Sequence, residues 1–129
     1  MVNGNQVRSL KKQLDEREHA LRQEIRAELL KSEEQHYRDL AGRVKDVGEE
    51  SVADLLVDLQ LASVDRHIQE IREIEAAQIR MVTGSFGVCV DCDKAIDAER
   101  LEAYPTAKRC RPCQVEHERM YASSGRPSL

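Results

Sequence analysis

Residues 89–113, CVDCDKAIDAERLEAYPTAKRCRPC, hold all four cysteines of the chain, arranged as Cys89-x2-Cys92 and Cys110-x2-Cys113 with seventeen residues between the pairs. Two such pairs point to one tetrahedral zinc ion: in each, the two intervening residues form a tight turn that aims both sulfurs at a single metal. Four thiolates close the coordination shell and leave no position for water. A zinc site of this kind is structural, whereas hydrolytic zinc sites keep one position open. Two other uses of the pattern were weighed. A disulfide framework belongs to secreted chains, and MVNGNQVRSLKKQ at the start of this one has no apolar leader segment. A redox dithiol usually follows an apolar strand, and none precedes Cys89 or Cys110.

Outward from the cysteines, composition limits the fold. The 129 residues are 34% charged and only 3% aromatic, with one Phe, three Tyr and no Trp, so a large globular core is not expected. Charge-rich sequence dominated by Ala, Glu, Lys, Leu and Arg is typical of long helices. No run of eighteen apolar residues occurs, and no membrane partner is expected. Residues 1–83 carry 13 Lys and Arg against 17 Asp and Glu, and residues 84–129 carry seven of each. Neither half offers the clustered cations that phosphate binding needs, so no direct sequence-specific DNA binding is expected. Arg109 and Arg111, flanking the second cysteine pair, support only a minor nucleic-acid reading.

Periodicity defines the rest. Val57, Leu61, Val64, Ile68, Ile71 and Ile74 recur at spacings of four and three, and Ile79 and Val82 extend the stripe, predicting an amphipathic helix of around thirty residues. Val7, Leu10, Leu14, Leu21, Ile25, Leu29 and Leu40 predict a first helix whose seam is interrupted at Arg17 or Glu18 and again at Ser32 or Glu33. Between the stripes, Gly42 suits a left-handed C-cap and Gly48 a chain reversal. The prediction is all-α: a long antiparallel coiled-coil hairpin over residues 1–82 with its tip near 42–51, a C4 zinc finger and short C-terminal helix over 83–121 packing back on the hairpin base, and a flexible tail over 122–129. Thr83-Gly84-Ser85-Phe86-Gly87 breaks the second helix ahead of the finger, and Ile96 and Leu101 supply the finger's small core. His19, His36, His67 and His117 are scattered among charges, no nucleophile–base pair or phosphate loop is present, and an enzyme is not expected.

Residues 66–114 also carry a family resemblance. Ile74-Glu75-Ala76-Ala77, Gly84-x-Phe86-Gly87-x-Cys89-x2-Cys92, and Arg100-Leu101-x-Ala103-x-Pro105-x-Ala107-x2-Cys110-x2-Cys113-Gln114 resemble the signature of the DksA/TraR family of bacterial transcription regulators. Asp93 departs from it, standing where many members have glycine. The resemblance implies a cytoplasmic protein that binds bacterial RNA polymerase and inserts its acidic coiled-coil tip into the secondary channel. Members acting this way carry DxxDxA at the tip, and the matching positions here are Asp46, Glu49 and Ser51. Asp46-x2-Glu49 is equally the spacing of a helix capping box. In alarmone-responsive members, basic residues of the second helix help to bind guanosine tetraphosphate. Arg66 and Arg72 are the candidate polymerase or alarmone contacts here, while Glu73 and Gln114 replace lysines, so weak alarmone dependence is expected. The alternatives are a zinc-stabilised coiled-coil adaptor for another protein and a weak nucleic-acid-binding finger.

Overall fold

The computed structural model describes residues 2–48 and 50–123, and the described residues contain six helices and no strand. Helix α1 spans Gly4–Leu30, α2 Gln35–Asp46, α3 Val52–Leu55, α4 Ala62–Thr83, α5 Ala98–Ala103 and α6 Arg111–Ser123. A capping box starts α1: the Asn3 side chain accepts from the Gln6 N–H at 2.8 Å, and the Gln6 side chain accepts from the Asn3 N–H at 2.9 Å.

The expected antiparallel hairpin is formed by α1 and α4. Leu10, Leu14, Leu21, Ile25 and Leu29 of α1 are buried with Val64, Ile68, Ile71, Ile74 and Ala77 of α4, the 3–4 repeat of a coiled-coil seam. Where the apolar seam of α1 is interrupted, Arg17 reaches across to Glu70 with two bonds of 2.6 and 2.9 Å. Asp15 meets Gln78 at 2.9 Å, and Glu24 lies 3.5 Å from His67, so the two helices run in opposite directions along their shared length.

The helices are shorter than the stripes suggest. The first ends at Leu30, beside the second interruption of its seam, and α2 then doubles back along α1, burying Ala41 and Val44. Gly42 therefore lies inside a helix rather than capping one; burying its neighbours outweighs the cost of about 1 kcal/mol for a helical glycine. The second long helix begins at Ala62, leaving Val57 in the connection at 60% exposure. At its other end Ile79 and Val82 are 62% and 84% exposed. Ile79 follows Ile74 by five residues, about 140° round the helix at 3.6 residues per turn, so Ala77 and Met81 take the inner face instead. The capping-box reading of Asp46 is also overturned. Asp46 is the last residue of α2, and Ser51 caps the next helix, its hydroxyl accepting from Asp54 N–H at 2.9 Å.

Gly84 ends α4 at φ 86°, a left-handed conformation that glycine adopts without a Cβ penalty. The chain then enters the finger, whose core is Phe86, Cys89, Ile96, Leu101 and Ala107. A Cβ on Gly87 would stand 3.3 Å from Val2 Cγ2, so glycine at this point lets the start of the chain close on the finger. Contrary to expectation, α6 does not pack its length on the hairpin. Val115 and Met120 are more than half exposed, and only Cys113, Gln114 and His117 of the helix are half-buried. The tail expected over 122–129 lies, from residue 124, outside the described residues.

Candidate functional site

The first cysteine pair sits on a short reversal. Cys89 N–H donates to the Lys94 carbonyl at 2.8 Å, Ile96 N–H to Gly87 at 2.8 Å, and Val88 and Ala95 form an isolated antiparallel bridge. Asp93 takes φ 63°, which explains why glycine suits this position; aspartate is among the few L-residues that tolerate it. The second pair stands at the start of α6, with Cys113 in its first turn and the Gln114 N–H donating to the Cys110 carbonyl at 2.9 Å. Val90 N–H, donating to Lys108 at 2.9 Å, ties the two reversals together.

The four sulfurs lie within 4.8 Å of one another, and Cys92 Sγ is 3.7 Å from Cys110 Sγ. A regular tetrahedron with bonds of about 2.3 Å has edges of about 3.8 Å, so the cage has the dimensions of a zinc–thiolate site. Its electrostatics also call for a cation. Burial opposes the Cys89 thiolate, but backbone N–H groups of Cys110, Cys92 and Asp91 outweigh it and hold the thiol down at about 6. The Cys113 thiol is pushed up by hydrogen bonding to the neighbouring sulfurs of Cys110 and Cys92, with burial and the charge of Cys110 adding to the effect. A divalent ion removes that conflict, and one structural Zn2+ held by Cys89, Cys92, Cys110 and Cys113 is the cofactor this cage fits. Around it, Arg109 is bound to Asp91 at 2.7 Å and Arg100 Nε donates to the Arg109 carbonyl at 3.0 Å. The guanidinium of Arg109 is thus committed to the finger, which weakens its nucleic-acid reading. Arg80 Nη2, donating to the Thr106 carbonyl at 3.3 Å, ties α4 to the finger, and burial lowers its pKa.

The other predicted residues are distributed along the hairpin. Asp46 is exposed at the end of α2, and Glu49 lies outside the described residues. Ser51 is half-buried against α4: its hydroxyl donates to Glu75 Oε1 at 2.7 Å, while Val52 N–H donates to Glu75 Oε2 at 2.9 Å. Arg22 Nη1 donates to the Val47 carbonyl at 2.9 Å. Val47, Gly48, Ser51 and Val52 therefore lie beside the middle of the hairpin, where Arg22 and Glu75 hold them, and not at the tip expected near 42–51. Sequence reasoning missed both, since a lone charge on a helix carries no signal of its contact. Arg66 and Arg72 are exposed on α4. Arg72, Glu73 and Gln114 come together with Arg80, Lys108 and Arg109 along one groove of about 370 Å³ between α4 and the finger.

An α-helical hairpin fastened at one end by a closed C4 cage defines the class as a zinc-finger protein with a helical projection. Over residues 84–119 the chain matches the family described as the prokaryotic dksA/traR C4-type zinc finger. It is 33% identical over 90 residues to the RNA polymerase-binding transcription factor DksA of Caulobacter vibrioides, a match covering 70% of this chain and 58% of that protein. General stress protein 16O of Bacillus subtilis is 34% identical over 67 residues, covering 52% of this chain and 40% of its own length. The chain thus spans 58% of the first of these relatives and 40% of the second. The solution structure of the DnaK suppressor protein from Agrobacterium tumefaciens superposes with a TM-score of 0.57 at 29% identity, covering 85% of this chain and 92% of that one. No helix among the described residues is long and apolar enough to cross a membrane.

Proposed function

We propose that this protein is a cytoplasmic, non-enzymatic regulator that binds bacterial RNA polymerase and presents the acidic stretch around Asp46, Glu49 and Ser51 within the secondary channel. The observation that carries this reading is the pairing of a metal-fastened helical hairpin with a relative over 70% of the chain that is named for binding RNA polymerase. A narrow helical projection can enter a channel too tight for a globular domain, and the exposed carboxylate of Asp46 that it carries can act within. The finger supplies rigidity rather than chemistry, because its shell is closed.

Alarmone dependence is weak in this reading. Glu73 lines the same groove as Arg72, Arg80 and Lys108, so a polyphosphate approaching these cations meets a like charge, and Gln114 adds none to attract it. The test is a polymerase pull-down with transcription from a promoter that forms short-lived open complexes, using zinc-loaded wild type and Asp46→Asn, with and without guanosine tetraphosphate. Both proteins are expected to be retained on polymerase, only the wild type to change transcript yield, and the nucleotide to alter that change less than twofold. Absence of wild-type binding would overturn the proposal, and a strong nucleotide response would overturn its alarmone clause.

A further inference from the structure

The sequence pattern and the folded-back insert between α1 and α4, residues 31–61, disagree in a way that points to a second conformation. The apolar stripe Val57-Leu61-Val64-Ile68 keeps its 4-3-4 phase through the connection ahead of α4, yet residues 57–61 are not helical. Neither connection contains a glycine or proline: 31–34 reads Lys-Ser-Glu-Glu and 56–61 reads Leu-Val-Asp-Leu-Gln-Leu. Lys31, just past α1, is still in right-handed helical geometry at φ −71°, ψ −20°. The helix ends facing these connections are also poorly finished, since neither Glu34 ahead of α2 nor Leu61 ahead of α4 makes a side-chain cap. Nothing covalent stops α1 from running into α2, or α3 into α4.

The register of the hairpin fits that straightened form. Glu24 faces His67 at 3.5 Å, and Ser63 is near enough to Glu28 to help lower its pKa. Stepping inward from either pair, one residue at a time along each helix, the two strands of the hairpin meet at residues 45 and 46. If both connections became helical with the α1–α4 register unchanged, the chain reversal would fall at Asp46 beside Gly48, the glycine that α2 leaves outside its helix. The insert is ready to move as a pair, because Tyr37 and Leu40 of α2 already line one groove with Leu55 and Leu59.

Besides the burial of Ala41, Val44, Val52, Ala53 and Leu56, the insert is held back by a few polar bonds. Glu75 accepts from Ser51 and Val52, and Arg22 donates to the Val47 carbonyl at 2.9 Å and to Gly48 at 3.5 Å. Arg22 is only partly served by this position: beside its ion pair with Glu18 at 3.7 Å it answers neutral carbonyls, and its Nε is buried without a hydrogen-bond partner. Release returns its charge to water. We propose that Arg22 and Glu75 form a latch, and that its release lets α1–α2 and α3–α4 fuse into two continuous helices that carry Asp46 from the flank of the hairpin to its far end. The consequence for transcription rests on the polymerase reading above; the conformational claim does not.

Two variants of the full zinc-loaded chain test it. Arg22→Ala/Glu75→Ala removes the latch. Gln35→Pro places proline at the first position of α2, compatible with the folded-back form but not with an uninterrupted α1–α2 helix. Small-angle scattering is expected to show the release variant longer than Gln35→Pro by about 20 Å, the added length of α2 at 1.5 Å per residue. Circular dichroism is expected to show a gain of helix as the connections become helical. In the transcription assay the release variant should exceed wild type several-fold and Gln35→Pro should lose the effect. A release variant that stays short, or lengthens while losing helix, overturns the latch. If wild type and variants all fail to bind polymerase while the lengths still differ as stated, the polymerase reading fails and the latch stands.

Discussion

The base of this hairpin and its insert are built on opposite terms. At the base, Gly84, Gly87 and Asp93 all adopt positive φ, Val2 closes on the finger, Arg80 bridges α4 to Thr106, and four thiolates converge on one point. In the insert, two helices lack side-chain caps at their connections, and a handful of bonds from Arg22 and Glu75 fix the stretch between them. Local stability follows such differences: segments held by few contacts open at a small fraction of the global free energy. Rigidity is concentrated at the metal end, and freedom in the folded-back segment that carries Asp46.

Removal of zinc breaks this contrast most severely. Metal binding to such sites is worth on the order of 10 kcal/mol and is coupled to folding. Chelation, or Cys110→Ser, is expected to abolish amide protection over 84–110 while α1 and α4 keep theirs, as hydrogen exchange would show. Protection retained in the finger after chelation would mean that Phe86, Ile96 and Leu101 suffice without the metal. Next in size is the shared core. Ile71 is fully buried on α4, and Ile71→Ala should destabilise the whole protein by about 2–5 kcal/mol in urea unfolding. Val44, equally buried on α2, should matter less globally, because the insert can open by itself; Val44→Ala is expected to speed exchange over 35–55 with little change over 64–77.

How much of this was legible in the sequence follows the same division. Cysteine spacing pointed to the metal cage because the chemistry fixes the geometry, and the 4-3 stripes identified the buried residues of α1 and α4 because both helices face one partner along their shared length. The helix ends were not legible. The gap at Ser32 and Glu33 was the signal of the break after α1, but it resembled the gap at Arg17, which the structure bridges with Glu70. A missing apolar residue marks either a cross-helix ion pair or a helix end, and only the position of the opposite helix decides between them. Gly42 misled for a related reason, since tertiary burial of Ala41 and Val44 overrides local preference.

Asp93 sharpens the reading of the base. Its φ of 63° costs an L-residue about 1–2 kcal/mol, less for aspartate and nothing for glycine. Asp93→Gly is therefore expected to match or slightly exceed wild type in resistance to chelator, and Asp93→Val to fall below it by about 1–2 kcal/mol. Equal behaviour of the two variants would show that the reversal relaxes to negative φ.

The smallest expected effect concerns the ion pair that fills the seam of α1. Arg17, donating two bonds to Glu70, holds its carboxyl below the ordinary range against the opposing influence of burial. A carboxyl with a lowered folded pKa stabilises the native state above its unfolded pKa, and that contribution disappears as pH falls through the folded value. At the next residue of α1, burial raises the carboxyl of Glu18, only partly offset by Arg22. Its effect has the opposite sign: it favours the native state at low pH, and this is lost as pH rises through the raised value. Glu70→Gln should therefore cost stability at pH 7 and less at pH 3, whereas Glu18→Gln should gain stability at pH 7. Both side chains of the Arg17–Glu70 pair are more than 40% exposed, so solvent screening limits the Glu70 effect to under about 1 kcal/mol. Urea titrations at the two pH values read the difference. If Glu70→Gln is neutral at pH 7, the seam at Arg17 is held by the apolar residues on either side, and the interruption in the first stripe costs the hairpin nothing.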